Sequence, residues 1–145
     1  MRVVAVDIGQ KRLGFAVSDP DGCLALPCSV IDVHDDDSTV MAIVDVCRDK
    51  EATCLVVGMP ISMSGNKGPM ACRIEALTRR IAQELSIPVE TWDERLTTVS
   101  AERAMRDAGW SGRKLREDRD KIAAQIILQA FLDSRAASDW SESAE

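Results

Sequence analysis

Residues 1–19 read MRVVAVDIGQKRLGFAVSD, and the fold of the whole chain turns on them. Val3, Val4, Ala5 and Val6 form a run of small, mostly β-branched residues without alternation. That is the pattern of a strand buried on both faces in a parallel or mixed sheet. Such a strand is dry, yet it runs into Asp7, then through Ile8, Gly9, Gln10, Lys11 and Arg12 into a second strand-like run, Leu13 to Ser18. A carboxylate at the mouth of a buried strand loses hydration and needs a cation, a hydrogen-bond donor or a proton. A simpler role for Asp7 is to cap the turn through its side chain, as Asp often does.

Outward from this stretch, Asp19-Pro20-Asp21-Gly22 is a strong turn signal leading to a third strand, Leu24 to Val30. Connections this short imply an antiparallel meander. Ser38 is then placed to cap a helix whose apolar positions Val40, Ile43, Val44 and Cys47 follow helical spacing. Cys54 to Val57 is a short apolar run between helices, hence a buried parallel strand, and it opens into the polar, Gly-containing loop Ile61 to Pro69. Pro69 suits the first turn of a helix with the stripe Met70, Ile74, Leu77, Ile81 and Leu85, which reads as core. Pro88 to Trp92 is a fifth strand, followed by Asp93-Glu94-Arg95. Thr97 or Thr98 is placed to cap a helix ending near Gly109, and a final helix is expected from about Asp118 to Ser134. The expected fold is α/β: a five-stranded mixed sheet, an antiparallel meander plus two parallel strands, with helices on both faces.

The chain has 145 residues, which suits one domain over 1–135 and a flexible tail over 136–145. Five cysteines without metal-ligand spacing, no run resembling a signal peptide and no stretch of roughly 18 apolar residues point to a cytoplasmic protein without a membrane span. A net charge of −6 argues against nonspecific coating of nucleic acid. The balance is uneven, however. Between Arg103 and Lys121 seven basic and four acidic residues leave a local charge of +3, either a solvated surface or a phosphate-binding patch.

Three carboxylates can converge in such a fold. Parallel strands one and four lie side by side, and ligands gather at their carboxyl ends, where Asp7 and one of Asp93 or Glu94 emerge. On an extended chain Asp93 and Glu94 point to opposite faces, so at most one of them joins Asp7. Asp120 stands three, four and seven residues before Ala123, Ala124 and Ile127, at the N-terminal end of the inward face of the last helix. There the helix dipole alone favours a carboxylate by about 0.3–1 kcal/mol, so a structural role also fits it. The single histidine, His34, sits in an acidic run and reads as a solvated loop residue. Carboxylates without an imidazole partner repel one another unless a hard divalent cation joins them, and magnesium suits an all-oxygen set.

Four stretches together carry a family resemblance: Asp7-Ile8-Gly9 with Lys11, Arg12 and Gly14; Val57-Gly58-Met59-Pro60 with the loop to Gly68; Asp93-Glu94-Arg95-Leu96-Thr97-Thr98; and Asp120 with Ala123-Ala124 and Ile126-Ile127-Leu128. In this order they resemble the YqgF family, candidate Holliday-junction resolvases or pre-16S rRNA nucleases of the RNase H-like superfamily. The resemblance implies a phosphodiester-cleaving nuclease in which Asp7, Glu94 and Asp120 are the catalytic acids and bind magnesium or manganese. One departure is Lys121, where family members often carry Ser. The substrate would be precursor ribosomal RNA or branched DNA, a resolvase needing a homodimer and an RNA-trimming enzyme only a monomer. Lys11, Arg12, Lys67, Arg95, Arg113, Lys114 and Arg116 are candidates for holding substrate phosphates, or for neutralising the acids. The loop Ile61 to Gly68 and the segment Gly109 to Arg119 are expected to form a mobile rim around the site. Two other readings stand beside this one: a nucleic-acid-binding module without catalysis, and an actin-like ATPase fragment suggested by Asp7, Gly9 and Gly14.

Overall fold

The structure is a computed structural model, and it describes residues 1–62, 64–97 and 113–143; the side chains of 113–120 and 137–143 lie outside the description. The apolar opening run forms β1 (Val3–Ile8), all six residues of which are buried. β1 is hydrogen-bonded antiparallel to β2 (Arg12–Ser18), which pairs antiparallel with β3 (Ala25–Asp32). On its other side β1 pairs in parallel with β4 (Cys54–Met59), itself parallel to β5 (Val89–Asp93). The sheet order is therefore β3-β2-β1-β4-β5, with β1 at its centre, as a strand buried on both faces requires.

The crossover from β3 to β4 contains α1 (Asp36–Asp49), and that from β4 to β5 contains α2 (Pro69–Glu84). Both pack on one face of the sheet. Val4, Val6 and Ile8 of β1 and Leu55, Val57 and Met59 of β4 meet Val40, Ile43, Val44 and Cys47 of α1 and Ala71, Ile74, Leu77 and Ile81 of α2. The cap of α1 is Asp35, not Ser38. Asp35 accepts a hydrogen bond from the Ser38 amide at 2.7 Å, while the Ser38 hydroxyl accepts from the Asp35 amide at 3.1 Å, so Ser38 is the third helical residue of a reciprocal cap.

The other face is covered by α3 (Arg113–Ser143). Here the strands present smaller side chains, Val3, Ala5, Ala16, Ala25, Cys54 and Val56, against Ala123, Ala124, Ile127, Leu128, Phe131 and Leu132. This helix starts at Arg113 rather than near Asp118 and continues beyond Ser134 into the segment read as a tail. Neither Gly nor Pro occurs between Arg113 and Ser143, so nothing in the chain stops the helix earlier. The expected helix from Thr97 or Thr98 to Gly109 lies largely outside the described residues. Thr97 itself closes a single 3-10 turn, Glu94–Leu96. Among the described residues no helix is long and apolar enough to cross a membrane, and all five cysteines are free thiols.

Candidate functional site

Alternation along β1 decides where Asp7 points. Val4, Val6 and Ile8 serve the α1/α2 face, while Val3 and Ala5 serve the α3 face, so Asp7 belongs to the latter. It is only 2% exposed. Its strand neighbours on that face explain how a carboxylate fits there. Across β2 its partner is Gly14, and in β4 the residue one step beyond the Val6–Val57 pair is Gly58. Asp7 thus stands between two residues without side chains, in a hollow at the carboxyl ends of β1 and β4. The turn that follows is equally tight. The Gly9 amide donates to the Arg12 carbonyl at 2.9 Å, and a Cβ on Gly9 would lie 2.8 Å from that same oxygen.

Glu94 reaches the same hollow from β5. It opens the 3-10 turn after Asp93 and is 1% exposed. Its carboxylate lies across Gly58, because a Cβ built on Gly58 would be 2.8 Å from Glu94 Oε1 and 2.7 Å from Ile127 Cδ1 of α3. Asp93 turns the other way, as the alternation argument requires of one member of the pair. Its carboxylate accepts from the Arg95 amide at 2.9 Å and from the Arg95 guanidinium at 2.6 Å and 2.9 Å. The Arg95 side chain holds the Asp93 carboxyl below the usual aspartate range, and Asp93 raises Arg95 in return.

Asp120 belongs to α3, two helical turns before Ile127; its side chain lies outside the described residues. Among the described residues alone, no group of three or more His, Cys, Asp or Glu side chains is placed to hold a metal ion. Arg113, Lys114 and Arg116 occupy the first turn of α3, not a glycine-containing loop, because the helix begins at Arg113. Residues 109–112, the rest of the expected rim, lie outside the described residues.

The remaining cations fall into two groups. Lys11 is exposed on the turn after β1, and Arg12, half-buried, starts β2 opposite Asp32 of β3. Lys67 and Arg95 each contact a carboxylate of this chain: Lys67 ion-pairs with Glu75 of α2 and Arg95 with Asp93. The loop carrying Lys67 folds back on itself through an Ile61–Lys67 bridge and a Ser62 amide bond to the Asn66 carbonyl at 3.1 Å. Its Gly65, at φ +87°, faces Arg95, whose Nη1 would be 3.6 Å from a Cβ there. His34 is exposed, as its acidic surroundings suggest. Sequence reasoning gave Gly58 no role of its own and read Gly14 only as part of a candidate actin-like phosphate loop. Both stand in the stretches that carry the family resemblance, but only the sheet register places them beside Asp7.

A mixed sheet ordered β3-β2-β1-β4-β5 with helices on both faces is the RNase H-like fold, here with buried acids at the ends of β1 and β5. In solved structures the same architecture is seen in Thermus thermophilus RuvC in complex with a Holliday junction substrate. The two superpose with a TM-score of 0.62 at 16% identity, over 94% of this chain and 96% of RuvC. The fowlpox virus resolvase in complex with Holliday junction DNA gives 0.52 at 12% identity, over 92% and 98%. The chain belongs to the RuvX (YqgF) family, described as Holliday junction resolvase, whose model matches residues 1–134. Among curated relatives, a candidate pre-16S rRNA nuclease of Chloroflexus aurantiacus is 37% identical over 94% of this chain and 89% of its own. One of the same name from Roseiflexus is 41% identical over 92% and 95%.

Proposed function

We propose that this chain is a divalent-cation-dependent nuclease that hydrolyses phosphodiester bonds in structured nucleic acid, with Asp7, Glu94 and Asp120 as its catalytic, cation-holding acids. The observation that carries the reading is the glycine-lined hollow in which two buried carboxylates, Asp7 and Glu94, share one face at the carboxyl ends of the sheet. Two buried carboxylates, joined by a third acid on the helix covering that face, make an all-oxygen donor set suited to magnesium or manganese. When bound, such an ion supplies Lewis-acid activation of water and of the leaving oxygen. The chain's own contribution is rigidity. Asp7 is fixed by the central strand, Glu94 by the turn that Asp93 caps, and Asp120 by the first turns of α3. Lys11, on the turn beside Asp7, and the basic residues Arg113, Lys114 and Arg116 supply cations for substrate phosphates, contacts that hold a backbone without reading its sequence.

Relatives of 37–41% identity carry the name of pre-16S rRNA nucleases, which makes precursor ribosomal RNA the leading substrate and the cytoplasm the expected compartment. The family description favours a second substrate, the Holliday junction. The test is cleavage of a pre-16S rRNA fragment and of a four-way DNA junction by wild type and Asp7→Asn, with magnesium and with EDTA. The expected outcome is magnesium-dependent cleavage of the RNA, abolished in Asp7→Asn and in EDTA, while the melting temperature of the metal-free variant stays level or rises as carboxylate repulsion is relieved. Cleavage of the junction alone selects the second substrate. Undiminished cleavage by Asp7→Asn returns Asp7 to the role of a turn cap.

A further inference from the structure

The carboxylate of Glu94 is constrained at both ends of its side chain, and neither constraint is itself an oxygen ligand. At the backbone end, Asp93 accepts from the Arg95 amide at 2.9 Å and takes the Arg95 guanidinium on both of its oxygens, with contacts from 2.6 to 3.1 Å. These bonds bracket Glu94 on either side in the chain. They hold it at the start of a 3-10 turn, which the Thr97 amide closes on the Glu94 carbonyl at 3.2 Å. At the carboxylate end, Gly58 leaves free the volume that Glu94 Oε1 and Ile127 Cδ1 occupy; a methyl group there would approach them to 2.8 and 2.7 Å. A separation below 3.0 Å forces one of them to move. Ile127 and Glu94 are both fully buried, so a methyl group at Gly58 cannot be accommodated without pressing on the carboxylate, on the core or on both.

We propose that Gly58 and the Asp93–Arg95 pair are positioning residues that set the Glu94 carboxylate in the hollow beside Asp7. The inference rests on the reading of Glu94 as a cation-holding acid. It gives Arg95 a task different from that of a phosphate ligand, since its guanidinium edge already faces Asp93. Partners one step removed from a metal typically change its affinity 10- to 100-fold when altered. That is the size of effect expected here.

The test measures Mn²⁺ affinity of the purified protein by calorimetry, alongside the melting temperature and the affinity for a labelled RNA hairpin in EDTA. Glu94→Gln, the control for the underlying reading, is expected to lose Mn²⁺ binding. Gly58→Ala and Asp93→Ala are expected to weaken Mn²⁺ binding about 10- to 100-fold while hairpin affinity stays within twofold of wild type. Asp93→Asn keeps an oxygen for the Arg95 amide and should recover part of the loss. Because Gly58→Ala also presses on the core, the double variant Gly58→Ala with Ile127→Val removes the Cδ1 contact; a folded double variant that still binds Mn²⁺ weakly isolates the effect on Glu94. Arg95→Gln should follow Asp93→Ala in Mn²⁺ affinity and leave hairpin affinity alone. If Glu94→Gln loses Mn²⁺ while the Gly58 and Asp93 variants bind it as wild type does, the positioning roles are wrong and the site reading stands. If Glu94→Gln binds Mn²⁺ normally, both fall. Loss of hairpin affinity in Arg95→Gln with Mn²⁺ affinity intact makes Arg95 a phosphate ligand and overturns its part in the pair.

Discussion

The two faces of the sheet use the same strands to opposite ends. Toward α1 and α2, β1 and β4 present Val4, Val6, Ile8, Leu55, Val57 and Met59, and Phe15 and Leu13 of β2 add their bulk. Toward α3 the same three strands present Val3, Ala5, Ala16, Cys54 and Val56, and beyond these Gly14, Gly58 and the carboxylate of Asp7. The first face is filled with large side chains and holds the larger of the two buried clusters. The second is shallow, so that α3 seats close to the sheet and leaves a hollow at one end where charge is buried. Stability and chemistry are thereby separated by the two-residue alternation of a strand, and a change on one face need not disturb the other.

Substitutions chosen by face test that separation. The largest effect is expected from Leu77→Ala on the α1/α2 face, where a fully buried side chain leaves a cavity; about 2–5 kcal/mol should be lost in urea unfolding, whereas cation affinity in the remaining folded protein should not change. A smaller cost, about 1–3 kcal/mol, is expected from Ala124→Leu, which forces added volume between α3 and the sheet. Here cation affinity should fall as well, because the helix that bears Asp120 must move. Equal behaviour of the two variants in the cation assay would dissolve the distinction between the faces. The smallest effect is confined to acid pH. The Ser38 amide and hydroxyl hold the Asp35 carboxyl below the ordinary aspartate value of 3.8, so this cap adds stability above that value and loses it as pH falls through the lowered one. Thermal melts from pH 6 to 2 should therefore fall less steeply for Asp35→Ala than for wild type, and parallel curves would remove the cap from the account.

How much of this was legible in the sequence follows from which interactions are local. The central strand, the Asp7 mouth and the stripes of α1 and α2 could be read because burial on two faces or on one helical face writes itself into spacing. The start of α3 could not. Between Arg113 and Asp120 the sequence is almost wholly charged, and a helix there shows no apolar period, only the absence of a breaker. Ser38 looked like a cap because Ser commonly is one; the reciprocal bond from Asp35 shows which of the two leads. The embrace of Asp93 by Arg95 depends on a 3-10 turn that also brings the Arg95 amide onto the Asp93 carboxylate, a bond that the residue types alone do not announce. Gly58 was visible as a letter, but its purpose lies in the positions of Glu94 and Ile127, thirty-six and sixty-nine residues further along the chain.

The parallel pairing of β1 with β4 bears on how the molecule is made. Val3 meets Cys54 across that ladder, so the central strand gains its second neighbour only after an intervening strand pair and helix have been synthesised. The β1–β2–β3 meander closes short loops and is the natural early nucleus, while the long crossover to β4 carries the larger entropic cost and comes later. On an emerging chain, the α3 face of β1 therefore stays uncovered until the last third has left the ribosome. Asp7 spends that interval in water, where a lone carboxylate is at no disadvantage, and is dehydrated only when α3 docks. Burial of the acid thus depends on the last third of the chain, which supplies the helix that covers it, and the hollow around it is made jointly by the two ends of the sequence.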